Sequence, residues 1–160
     1  MRFIPILLLL ATPAFAQDDV TYDDKAVNAC LTAAADDGAR HACIGQASTT
    51  CMDAPGGYST VGMTSCVNHE RDDWDRLLND NYGKLVSKAK ENDAANGAQP
   101  TLPMLQKMQR DWITFRDSSC KFAASQFQGG TAAGPAAEVC VMTLTGEQAL
   151  RLGSMIGETR

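Results

Sequence analysis

Six cysteines, Cys30, Cys43, Cys51, Cys66, Cys120 and Cys140, constrain this chain more than any other feature of it. All six follow a leader, MRFIPILLLLATPAFAQ, in which Arg2 supplies a positive n-region and Phe3 to Leu10 a short apolar run. Ala14-Phe15-Ala16 is a small-x-small cleavage signal, so residues 1–16 read as a secretory signal peptide. The run is too short to span a bilayer. Position 17 is Gln, so no cysteine at the cleavage site can take a lipid. The mature chain is therefore expected to be periplasmic or secreted, with no membrane anchor. An even cysteine count in an exported chain reads as a disulfide framework. A metal centre is not expected, because no C-x-x-C pair occurs and the only histidines are His41 and His69.

The mature 144 residues suffice for one domain with a core. Their formal charge is −6, from 13 Lys+Arg against 19 Asp+Glu, and it is unevenly placed. Gln17 to Asp80 carries −8, whereas Asn81 to Arg160 carries +2. An acidic chain of this kind does not suit nucleic acid or an anionic membrane surface, but it does suit a basic protein.

Prolines mark where helices must stop: Pro55 in MDAPGGY, Pro100 and Pro103 in GAQPTLPM, and Pro135 in GGTAAGPAAE. Between them the chain is rich in helix formers and shows no period-2 alternation. The pattern predicts a small all-α, disulfide-bonded domain of about five helices, over 22–36, 38–52, 59–92, 101–127 and 135–157. The third is the long helix, which Gly62 and Gly83 could bend, and the packing is antiparallel. Residues 17–50 form an acidic helical hairpin turned at Asp37-Gly38, and 51–157 the main helical domain. Thr145 and Gln148 form a capping box, which predicts that the last helix restarts there.

Two helical stripes carry polar groups. One holds Asp75, Leu78, Asn79, Tyr82 and Leu85; the other holds Leu105, Met108, Gln109, Trp112, Phe115, Arg116 and Cys120. If the two helices pack together, Asp75, Asn79, Gln109, Arg116 and Asp117 can form a buried structural network. A buried Arg116 would then need Asp75 or Asp117 as its partner. Neighbouring cysteines are expected to pair. Cys30 and Cys43 lie about equally far from the Asp37-Gly38 turn, Cys51 and Cys66 straddle the Pro55 turn, and Cys120 and Cys140 flank a Gly-rich loop.

No nucleophile, base or phosphate-loop motif occurs, and His69-Glu70 lacks the second histidine of H-E-x-x-H, so no enzyme and no cofactor are expected. Binding would fall to loops. DAPGGYS presents Tyr58, either as an interface anchor or as half of a hydrophobic staple with Met63 around an N-cap at Ser59; QFQGGTAAGP presents Phe127. Glu70, Asp72, Asp73 and Asp75 are the candidate acidic face beside Tyr58.

The spacing D-x-x-L-N-x-x-Y (Asp75, Leu78, Asn79, Tyr82), followed by Q-x-x-W-x-x-x-R-D-x-x-C (Gln109, Trp112, Arg116, Asp117, Cys120), Gly129-Gly130, Cys140 and Leu144-Thr145, resembles the LprI-like family of small secreted proteins. The resemblance runs from about Cys51 to Leu152, and it also links Cys120 with Cys140. It departs at Gln148, where the family usually has Arg, and in the extra hairpin that holds Cys30 and Cys43. The family's name implies inhibition of a lysozyme; lysozymes of the common type are basic, and an inhibitor need only occlude the cleft, so no catalytic residue is required of this chain. The alternative is a non-catalytic envelope protein-binding or stress/assembly module.

Overall fold

The computed structural model describes residues 20–96 and 99–158; the expected leader and cleavage site lie outside them. Six helices follow one another: α1 (Ala26–Ala33), α2 (Asp37–His41), α3 (Gln46–Met52), α4 (Thr60–Asn96), α5 (Thr101–Ser125) and α6 (Ala133–Glu158). No strand occurs among the described residues. The spine is α4, 37 residues in one piece, about 55 Å at 1.5 Å per residue. α6 packs along it in parallel, with Glu138 beside Arg71 and Ala149 beside Asn81, and α5, antiparallel to α6 as Gln109–Gln148 and Cys120–Cys140 show, leans on α6 and less on α4.

Local chemistry sets the boundaries. The Ser59 hydroxyl accepts the Gly62 amide at 2.9 Å and caps α4. The turn before it is tight enough to require glycine: a Cβ on Gly57 would lie 2.1 Å from the Cys51 carbonyl oxygen, and Gly56 has φ 88°. Pro100 precedes α5 with extended backbone, and Pro103 falls in its first turn, where no amide is needed.

The expected helix over 38–52 is in fact two. Between α2 and α3 the chain passes through Gly45 at φ 91°, a left-handed conformation that no helix can continue through. The first helix is shorter than expected, because Asp36 leaves it to cap α2 by accepting the Ala39 amide at 2.8 Å. Nor does α6 restart at Thr145. The helix is continuous there, so the local amides are already bonded, and the buried Thr145 Oγ1 finds no protein partner. Gly62 has a packing role: a Cβ there would lie 2.0 Å from the Gly56 carbonyl oxygen, so this glycine lets the preceding turn pack onto the helix.

The core is one line down α4. Val67, Glu70, Trp74, Leu78, Asn81, Leu85 and Ala89 are all buried and recur every three or four residues. Met142, Thr145, Ala149 and Leu152 of α6 are buried against them. Val27, Cys43 and Ala47 from the N-terminal segment belong to the same core. Disulfides fasten each layer to the next: Cys30–Cys43 closes the α1–α2 hairpin, Cys51–Cys66 ties α3 to α4, and Cys120–Cys140 ties α5 to α6.

Candidate partner-binding face

Tyr58 stands at the top of α4 with 78% of its surface exposed. Its turn has little freedom, because Cys51–Cys66 bridges the two helices that flank it and Gly57 is packed on the Cys51 carbonyl. From this turn a partly exposed strip runs down α4. Val61, Thr64, Ser65, Asn68 and Asp72 follow helical spacing and line a shallow cleft of about 400 Å³, with His69 at its side. Val61 is itself 64% exposed. With so much of Tyr58 open to solvent, a staple onto Met63 covers little of it, and the ring remains available to a partner.

Asp72 is exposed and is held by Arg71, whose guanidinium also reaches Glu138 of α6 at 2.8 Å. Glu70 and Asp73, expected on the same solvated face, are inside. The Glu70 carboxylate is fully buried and accepts the Gly45 amide at 2.6 Å, the Ser48 amide at 2.6 Å and the Trp74 indole N–H at 2.9 Å. Its work is to close the first turn of α3 from a different helix. Asp73 faces Tyr22, which donates its hydroxyl at 2.6 Å, and pairs with Arg76. Burial, reinforced by the Asp73 carboxylate, pushes the Tyr22 hydroxyl pKa well up. The Tyr22 ring stacks on His69 with centroids 5.1 Å apart. These contacts fasten the chain ahead of α1 to α4.

The buried network does not assemble. Asp75 and Asn79 bond to each other at 2.9 Å on the exposed side of α4. Gln109 is buried, and its Oε1 accepts Gln148 Nε2 at 3.1 Å, joining α5 to α6 by an amide pair. Arg116 is half-buried; it bonds the adjacent, exposed Asp117 at 2.9 Å and lies 5.2 Å over the Trp112 ring. Of its two expected partners, Asp117 is the one used. Phe115, placed on the inner stripe by spacing, is 58% exposed. In the Gly-rich loop Phe127 is 46% exposed, ahead of Gln128 and Gly129 at positive φ.

All six cysteines are in disulfides, so no thiol is available as a nucleophile. No group of three or more His, Cys, Asp or Glu among the described residues could hold a metal ion. No helix among them is long and apolar enough to cross a membrane.

Fold and site together define the class: a small all-α protein stapled by three disulfides. Residues 51–152 match the family described as Lysozyme inhibitor LprI, and the chain belongs to that family. Comparison with curated proteins and with solved structures gives no match.

Proposed function

We propose that the mature chain is exported to the periplasm or beyond, after cleavage between Ala16 and Gln17, and there inhibits a lysozyme by binding it and occluding its cleft. It acts by contact, not by catalysis. The observation that carries the reading, beside the family match over residues 51–152, is the exposure of Tyr58 on a turn that Cys51–Cys66 holds in place. An aromatic fixed before contact loses little freedom on binding, which is what an inserting anchor needs. Asp53 beside the turn and Asp72 at the far end of the strip are exposed and have the sign that attracts a basic enzyme. Glu70 and Asp73 support this face from within and take no part in contact.

Cell-wall lysis by several lysozymes, titrated with the oxidised protein, tests the proposal. Inhibition at micromolar protein or below is expected. Tyr58→Ala should weaken it at least about tenfold, the loss of a hot-spot aromatic. The rate of association should fall with salt, as the Debye length shrinks from about 10 Å at 0.1 M to about 3 Å at 1 M. Failure to inhibit any lysozyme at high micromolar protein would reject the proposal. The second reading, a non-catalytic envelope-binding or assembly module, is favoured by Phe115 and Phe122, which are exposed one above the other on α5. Its signature would be capture of an envelope protein that Phe122→Ser abolishes and Tyr58→Ala spares.

A further inference from the structure

On α4, well below the Tyr58 strip, two clefts of about 390 and 300 Å³ open side by side where α1 and α2 meet α4 and α6. Arg40, Leu150 and Gly153 line both, so the two form one groove. Leu31, Leu77 and Leu150 are half-buried and give it apolar walls. Its floor is closed by Asn81, which donates to the Ala149 carbonyl at 3.0 Å. Gly153 keeps that floor low, for a Cβ there would lie 3.1 Å from the Asn81 amide nitrogen.

The groove is ringed by cations, Arg40 from the acidic N-terminal half and Lys84 and Arg151 from the basic C-terminal half. Lys84 is neutralised by Asp80 at 2.6 Å. His41 is 3.4 Å from Glu147. Asp37 lies on the rim of the outer cleft. Arg40 and Arg151 are exposed, and among the described residues neither has a carboxylate within 4.0 Å. Two guanidinium groups are thus left uncommitted at the mouth of an apolar trough.

We propose that this groove binds a single-chain anionic amphiphile, a fatty-acid carboxylate, with its head between Arg40 and Arg151 and its alkyl chain along Leu150, Leu77 and Leu31. Guanidinium groups present paired donors that match a carboxylate. The apolar walls take the methylenes, each worth about fourfold in affinity when fully buried and about twofold in an open trough. A peptide helix would need a longer apolar face than these walls supply. The groove lies roughly 30 Å along α4 from the Tyr58 turn at 1.5 Å per residue, so its occupancy is separable from inhibition of a lysozyme.

Calorimetry of the oxidised, mature protein with sodium laurate, below its micelle concentration, is the test. Octanoate measures the effect of chain length, and dodecyltrimethylammonium the effect of head charge. Laurate should bind at least about tenfold more tightly than octanoate, the expectation for four partly buried methylenes. The cationic amphiphile should bind far less. Arg40→Ser with Arg151→Ser should weaken laurate about tenfold or more. Both residues are exposed, so an unchanged melting temperature is expected. Tyr58→Ala should leave laurate binding intact. Absence of laurate binding up to millimolar concentration, equal affinity for the cationic amphiphile, or undiminished binding by the double variant would each overturn the proposal.

Discussion

A buried carboxylate is tolerated only where donors surround it, and Glu70 has three, two of them the otherwise unbonded amides at the start of α3. Glu70→Gln keeps the shape but turns an NH2 group toward N–H donors. It should lower unfolding free energy by about 3 kcal/mol, through one lost charge-assisted bond and one stranded donor, as urea denaturation would measure. Arg116 is the opposite case. Its partner Asp117 is exposed and one residue away, so Arg116→Ala leaves no charge stranded in the interior. A loss of about 1 kcal/mol is expected, mostly the contact with the Trp112 face. Tyr22 adds a pH signature. Its folded pKa is raised by burial and by Asp73, above the value of about 10 in an unfolded chain. The stability it contributes is therefore whole below about pH 10 and is lost as pH climbs beyond. Tyr22→Phe should flatten that alkaline loss in a series of thermal melts.

Among the elements, α4 serves its neighbours twice. Glu70 closes α3, and Asp93 closes α5 by accepting the Thr101 and Leu102 amides at 2.6 and 3.0 Å and the Thr101 hydroxyl at 2.8 Å. The two backbone bonds hold the Asp93 pKa below the ordinary carboxylate value. This cap is thus complete above about pH 4 and is lost as pH falls below it. Thr101 and Leu102 amide resonances should titrate together in that acid range, and Asp93→Asn should abolish the titration. Much of the helical order was legible because prolines and glycines punctuate it: α4, α5 and α6 fall close to the spans that Pro55, Pro100 and Pro135 bracket. Less legible was which edge of each stripe turns inward. Asp75 and Asn79 sit one step around the helix from Trp74, Leu78 and Asn81, and periodicity alone leaves that rotation open. Glu70 was hidden for a different reason. In the run HERDD it reads as solvated, since its donors Gly45 and Ser48 lie more than twenty residues earlier and only tertiary folding brings them to it. For Tyr58 the sequence left two readings open, an interface anchor or a staple on Met63, and only the folded turn shows the ring 78% exposed.

For the whole molecule, the cores of residues 20–50 and of the family-matched segment are one. Val27, Cys43 and Ala47 pack into the cluster that holds Val67, Trp74 and Met142. Tyr22 stacks and bonds on α4, and Glu70 needs the start of α3. The N-terminal hairpin is thus part of the fold, although the match to the family begins only at Cys51. The mature chain should melt in a single transition. A chain of residues 51–160 retains Cys51–Cys66 and Cys120–Cys140 but loses the cover over one side of Trp74 and Val67. Uncovering one side of each costs about 2 kcal/mol, roughly half of the 1.5–3 kcal/mol that full burial of each side chain is worth. In a domain of this size that lowers the melting temperature by about 5 °C or more. Glu70→Gln then reports on the cause. In the full mature chain it should destabilise by about 3 kcal/mol, whereas in residues 51–160 the carboxylate faces water, and the same substitution should be nearly silent. A truncated chain that melts with the full one, or that still suffers the whole Glu70→Gln penalty, would show instead that residues 51–160 close their own core and that the hairpin is an appendage.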